Sequence, residues 1–283
     1  MQIFVVNLAR RRDRLSQMSL QLRGLGLCFE RVPACDANDA SEEYLNGFVQ
    51  ARGPLGTLPK GDRCCFVSHM RAWNAFLRSG ASHGVVMEDD IRLDPAAGDL
   101  LSRCDWIPSN VALLKLEHIG PEGQLVLVGE PAEVGPGRTV AEIRSRHTGA
   151  GAYLLTHAAV ERLTSFRRRW SVPVDHVLFN PNVSPLAREL CPHQLLPAIA
   201  RQDAGLGGVS DIAASRKAQR RPSLSFLRRE FLRGYYEIRL LPRQMLSVIA
   251  GRASLVRVQN EALLRSPARL ALADKAELRM RRA

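Results

Sequence analysis

Residues 84–87 read GVVM and run straight into three consecutive carboxylates, Glu88-Asp89-Asp90, before the chain resumes with Ile91. A four-residue apolar run holding two β-branched residues is too short for a helix and reads as a strand buried on both faces. Three adjacent carboxylates at its end repel one another and cost stability unless something cationic sits beside them. The feature therefore requires a covered sheet whose carboxyl edge is open to a ligand.

The rest of the first 212 residues fits such a sheet. Ile3 to Leu8 is a second buried strand, leading into Arg10, Arg11, Arg12 and Arg14 and then a helix closed by Gly24 or Gly26. Phe29–Pro33 is a short strand, residues 36–60 read as a loop-rich insertion, and Cys64–Leu77 has helical spacing ending at Ser79-Gly80. Further strands are expected at Val111–Leu116, Gln124–Val128 and Gly151–Thr156, with a helix over His157–Phe166. Strands alternating with helices predict an α/β fold with a doubly wound, mostly parallel sheet.

Ligands of open α/β sheets bind outside the carboxyl ends of the strands. At the end of the first strand, the arginines suit phosphates, or else form a solvated first helical turn. At the end of GVVM, an extended chain would set Glu88 and Asp90 on one face and Asp89 on the other. Two carboxylates on one face suit a hard divalent cation, Mn²⁺ or Mg²⁺, that also binds diphosphate oxygens. The competing reading is an acidic turn after the strand, with Asp90 or Asp94 capping the next element.

Charge is divided unevenly along the 283 residues. The 68 residues from Arg216 onward hold 17 of the 40 basic and 5 of the 28 acidic residues, leaving 23 of each before them. A nucleic-acid-binding domain carries its basic residues on its own folded face, so the neutral body argues against that class. In the tail, Leu224, Leu227, Phe231, Tyr235 and Ile238 form a helical apolar stripe, with Arg229 and Arg233 opposite and Arg228 and Arg239 along one flank. A basic amphipathic helix reads as an element for an anionic membrane surface, or as a helix packed on the body. These contrasts set a basic, helical tail, from Arg216 onward, apart from a neutral body. No run of about 18 apolar residues suggests a membrane span, and MQIFVVNL lacks the basic region of a signal peptide. A cytoplasmic location, peripheral on the inner face of the cell membrane, is the expectation. The six cysteines form no CxxC pair and read as small buried hydrophobes.

The segments IFVVNLARRRDRL, KGDRCCFVSHMRAW (60–73), VVMEDDI (85–91), TGAGAYLLTHAAVERL (148–163), PVDHVLF (173–179), LLPAIARQD (195–203) and VSDI (209–212) occur in this order. In that series the chain resembles glycosyltransferase family 25, the lipopolysaccharide-biosynthesis and β-galactosyltransferase type, and the coverage of the resemblance implies a domain over 1–212 with a basic, helical tail over 213–283. The resemblance implies a GT-A-like fold, a UDP-sugar donor, a glycan or lipid-linked glycan acceptor, and inversion at the anomeric carbon, with galactose as the usual sugar. It gives Asn7, Leu8 and Arg14 to the nucleotide, Asp36 to the uridine, Ser68 and His69 to the donor site, and Glu88, Asp89 and Asp90 to the metal. One departure is Cys64, where members commonly carry a small residue.

Inverting transfer needs a base for the acceptor hydroxyl. Asp175, in VPVDH, matches the family's late acidic position, and it is also placed to cap the helix HVLF. Asp203 and Asp211 are the alternatives for the base. His193 has the imidazole of a further metal ligand, but as a lone histidine near prolines it reads as structural. The competing functions are a metal-dependent nucleic-acid-processing enzyme, which the neutral body disfavours, and a non-catalytic nucleotide-sugar-binding scaffold, which the intact acidic triplet disfavours.

Overall fold

A computed structural model describes residues 1–120, 123–166, 169–203 and 224–260, with backbone alone at 224–229 and 233. The first half runs β1 (Gln2–Asn7), α1 (Arg12–Gly24), β2 (Glu30–Pro33), α2 (Glu42–Phe48), β3 (Arg52–Gly53), β4 (Gly56–Thr57), α3 (Lys60–Ser79), β5 (His83–Glu88), β6 (Ile91–Leu93) and α4 (Ala97–Ser102). Next come β7 (Leu113–Lys115), β8 (Glu117–His118), β9 (Leu125–Gly129), β10 (Ala132–Gly135), β11 (Arg138–Glu142), β12 (Ala152–Thr156), α5 (His157–Thr164), α6 (Val174–Phe179) and α7 (Pro185–Leu190). The last are β13 (His193–Leu196), β14 (Ala200–Gln202), α8 (Leu224–Ile249) and β15 (Ala253–Arg257).

Eight strands form the main sheet in the order β10-β11-β13-β7-β12-β5-β1-β2. β2, β1 and β5 are mutually parallel, β12 and β11 run against their neighbours, and the other strands share the direction of β1. The expected α/β architecture is what the chain adopts, with six of the eight strands of the main sheet pointing the same way. Alternation along the strands divides the core. Phe4, Val6, Val86, Tyr153 and Leu155 pack against the α3, α5 and α6 side with Phe66, Phe76, Val160 and Phe179. Ile3, Val5, Val85, Met87 and Leu154 pack on the other face against Met18 and Leu22 of α1 and Leu101 of α4.

Local chemistry explains the elements beside the triplet. α1 closes with Gly26 at φ +70°, and its N–H bonds to Arg23 O while that of Leu27 bonds to Leu22 O. That pairing satisfies the last carbonyls of the helix in a Schellman turn. α3 comes close enough to β5 that a Cβ on Gly84 would lie 2.8 Å from the Phe76 ring. Residues 36–60 are more ordered than expected. Ser41 accepts from Tyr44 N and caps α2, and buried Arg63 of α3 ties α2 down through Glu42 (2.6 Å), Asn46 (2.8 Å) and Val49 O (3.2 Å).

After residue 212 the described chain is not helical throughout. α8 is followed by β15, which pairs antiparallel with β9. Ala198 N donates to Gln259 O at 2.8 Å, and Asn260 Nδ2 donates to Asp94 Oδ1 at 3.2 Å. The last part of the described chain thus returns to the body. Residues 204–223, which hold the expected boundary at 212, Asp211, Arg216 and the VSDI segment, lie outside the described residues.

Candidate active site

The parallel register that sets Val6 opposite Glu88 brings the carboxyl ends of β1 and β5 together. Asn7, buried at the end of β1, donates through Nδ2 to Asp89 Oδ2 (2.7 Å) and to Arg11 O (2.9 Å). Its Oδ1 accepts from Arg31 Nε at 3.0 Å. Arg14, on the first turn of α1, reaches Asp89 Oδ1 at 3.1 Å and Asp90 Oδ2 at 3.6 Å. The alternation expected through the triplet ends at Glu88, because Asp89 and Asp90 form the turn between β5 and β6. Both aspartates therefore meet the same arginine.

The three carboxylates have different surroundings. Asp89 has both oxygens engaged. Burial lifts its carboxyl above the ordinary range, against the pull of Asn7 and Arg14. Asp90 is pushed up to about 7, first by burial and then by the charge of Glu88, with Arg14 opposing. Its Oδ1 is buried and has no hydrogen-bond partner among the described residues. Glu88 faces α3, where Oε1 lies 3.3 Å from His69 Nε2 and 3.6 Å from Cys65 Sγ, while Gln202 Nε2 donates to Oε2 at 3.3 Å.

Behind Glu88 a buried relay fixes the imidazole. Trp73 Nε1 donates to Tyr153 Oη at 2.9 Å, and Tyr153 Oη lies 2.7 Å from His69 Nδ1. Burial raises the Tyr153 phenol well above its usual range, so it keeps its proton and directs it to Nδ1. We assign the remaining ring proton to Nε2, aimed at Glu88. Ser68, one residue away, is occupied elsewhere: it accepts from Cys35 N (2.8 Å) and donates to Cys64 O (2.7 Å).

Beneath the triplet lies an ion pair that sequence patterning alone does not single out. Lys115 Nζ and Glu117 Oε1 are 2.6 Å apart and both side chains are fully buried. Lys115 also donates to Gly149 O at 2.6 Å, and Gly151 N donates to Glu117 Oε1 at 2.8 Å. Burial raises the Glu117 carboxyl, with Lys115 opposing. The pair pins the 149–151 segment, whose Gly151 O accepts from Glu88 N at 2.8 Å. A Cβ at Gly151 would stand 2.7 Å from Glu117 Oε2. The one signal in the sequence is two charges inside the apolar run LLKLE.

Asp175 joins the same segment. Its Oδ2 accepts from Gly149 N at 3.0 Å and its Oδ1 from His176 N at 2.9 Å. β14 pairs with β6 and β8, which carries Gln202 to Glu88 and brings Asp203 N within 2.9 Å of Asp90 O. The Asp203 carboxylate accepts from Arg92 Nε at 2.8 Å. Asp36 sits by the start of α1, where burial, which would raise its carboxyl, is outweighed by bonds from Asn38 N and Arg10, leaving it lowered. Leu8 is half-buried and its carbonyl accepts from Arg11 N. His193 lies on β13 beside Glu142, with burial lowering its basicity.

Among the described residues, Cys65, His69 and Glu88 offer ligand atoms all within 4.8 Å of one another, whereas Glu88, Asp89 and Asp90 are not gathered in that way. Glu88 and Asp90 carry hard oxygens at the same end of the sheet.

The family model for glycosyltransferase family 25 (LPS biosynthesis protein) matches residues 1–178. A putative glycosyltransferase of Haemophilus influenzae is 26% identical over 204 residues, covering 71% of this chain and 70% of its own length. A lipooligosaccharide biosynthesis protein of the same organism is 24% identical, covering 61% of this chain and 59% of its own. A probable inactive glycosyltransferase 25 family member 3 of Bos taurus is 27% identical over 192 residues, 62% of this chain. The chain spans 31% of that bovine relative and 17% and 16% of the mosquito and fruit-fly members. The match covers β1 with its arginines, α3 and the Glu88-Asp89-Asp90 turn, and on it the chain belongs to glycosyltransferase family 25.

Proposed function

We propose that the chain transfers a hexose, galactose in the first instance, from a UDP-sugar to a glycan acceptor such as lipopolysaccharide or another surface polysaccharide. Transfer proceeds with inversion and needs a divalent cation, Mn²⁺ or Mg²⁺. The observation that carries this reading is Asp90, a half-buried carboxylate at the open end of a central strand, whose buried Oδ1 has no hydrogen-bond partner among the described residues and whose charge is opposed by that of Glu88.

The residues fit a hard cation. Glu88 and Asp90 offer the oxygens such an ion prefers, whereas Cys65 and His69 are softer donors suited to zinc-like ions. Asp89, held by Asn7 and Arg14, is the third candidate ligand and fixes the turn. When bound, the cation supplies Lewis-acid neutralisation of the charge that develops on the departing UDP. Asn7, Leu8 and Arg14 line the nucleotide side, with Asp36 toward the uridine. His69 holds Glu88 in orientation, and Ser68 braces α3 against the segment after β2.

Asp175 is our candidate base. Its attachment to Gly149, in the segment that abuts Glu88, supports that role. Asp203 is the second candidate because its backbone bonds to that of Asp90. The word "inactive" in the bovine relative's name favours a non-catalytic nucleotide-sugar scaffold as the second reading, against which the acidic triplet is intact here. UDP release measured across UDP-sugars, with and without Mn²⁺, tests the proposal. Saturable UDP-sugar binding without turnover on any acceptor would favour the scaffold.

A further inference from the structure

We infer that the outward face of α8 docks on an anionic lipid bilayer. α8 has 26 residues, about 39 Å at 1.5 Å per residue. Its body-facing side is held by polar contacts. Gln244 Nε2 donates to Arg144 O at 2.8 Å, Asn182 Nδ2 donates to Glu237 Oε2 at 2.8 Å, and Arg146 pairs with Glu237 at 3.3 Å. Tyr236 packs against the main core from the same side.

A surface helix normally turns its apolar stripe inward. Here the stripe points away from the body. At 100° per residue, Phe231, Tyr235, Ile238, Met245, Leu246 and Ile249 fall on one side, opposite Leu240 and Gln244. Phe231 is 75% exposed, Ile238 66%, Leu246 65% and Ile249 78%. A contiguous exposed apolar face of this length marks an interaction site.

Charge selects the occupant. Arg239 and Arg243 flank the stripe, and Arg252 and Arg257 lie beyond its end, all exposed. Residues 224–260 contain seven arginines and two glutamates. A second copy would bring the same positive charge to the contact, and like charges oppose it. An anionic headgroup layer attracts the arginines while its acyl boundary accepts the aromatic and aliphatic side chains, the arrangement of a helix lying in the interface plane. No helix among the described residues is long and apolar enough to cross a membrane, so α8 lies on the surface. The inference extends the proposed transferase reading by placing a lipid-linked acceptor in reach, but its test uses neither donor nor acceptor.

The full chain is sedimented with vesicles of phosphatidylcholine alone and of phosphatidylcholine mixed with phosphatidylglycerol. Binding to the anionic vesicles is expected, weakening as salt shortens the Debye length below about 8 Å. The double variant Ile238→Asp/Leu246→Asp should lose at least roughly tenfold in that binding, with its melting temperature and its mass by light scattering unchanged. Four results would overturn the inference: no binding by the wild type, equal binding by the variant, a dimer that the variant dissociates, or a fall in the variant's melting temperature. UDP release on a soluble acceptor, measured on the same samples, reports on the transferase reading separately.

Discussion

Replacing Asp90 by Asn removes one negative charge from a site that holds Glu88, Asp89 and Glu117 nearby. The wild-type carboxyl moves from 3.8 in the unfolded chain to about 7 in the fold, so the fold favours the protonated form. A raised carboxyl leaves stability intact at low pH and loses it as pH rises through the interval from about 4 to about 7. At 1.36 kcal/mol for each tenfold change in proton affinity, the upper limit of that loss is about 4 kcal/mol above pH 7. In the cation-free protein, Asp90→Asn should therefore be more stable than wild type at pH 8 and close to it at pH 4. Each kcal/mol corresponds to roughly 2–4 °C in melting temperature for a domain of this size. Added Mn²⁺ should raise the wild-type melting temperature at pH 8 and leave the variant nearly unmoved, because binding to the fold alone stabilises it by mass action. Thermal melts at the two pH values, with and without Mn²⁺, measure all four quantities. A variant no more stable than wild type at pH 8, or one that responds equally to Mn²⁺, would refute this account of Asp90.

Lys115→Met leaves Glu117 buried without its partner and should cost about 3–5 kcal/mol in denaturant unfolding; a loss under 1 kcal/mol would mean that the pair does not hold the 149–151 segment. Asp175→Asn should lower kcat while UDP-sugar affinity by calorimetry stays within about twofold, since a base acts in the transition state. If Asp203→Asn shows that pattern and Asp175→Asn does not, the base is Asp203. Tyr153→Phe breaks the link between Trp73 and His69 and should cost about 1–3 kcal/mol, which chemical denaturation checks.

The parts of the fold that are legible in the sequence share one property, a strong local pattern. β1 and β5 are continuous apolar runs, and Gly26 and Gly80 end α1 and α3 in left-handed conformations. α2 reads as loop because its signal is a Ser41 cap and a single buried Leu45, too little for periodicity to register. β10, β11 and β13 escape pattern reading because they are four or five residues long and take their identity from partners distant in sequence. β15 sits within a basic stretch that reads as continuous helix, and its pairing with β9 spans more than 120 residues. The same limit applies to the site. Asn7, Arg14, His69 and the triplet belong to recognisable segments, but the division of labour among the carboxylates is set by the turn at Asp89-Asp90. Gln202 reaches Glu88 across 114 positions, and no spacing rule connects residues that far apart.

Glu88 and Asp90 are proposed to hold the cation that makes sugar transfer possible. UDP release from UDP-galactose, with a galactose-accepting glycan, is the measurement that tests it most directly, run with and without Mn²⁺ on wild type and Asp90→Asn. Wild type should turn over only with the cation, and the folded variant should lose at least about two orders of magnitude, the effect of withdrawing charge stabilisation at the leaving group. Turnover by a folded Asp90→Asn protein at the wild-type rate would contradict the claim.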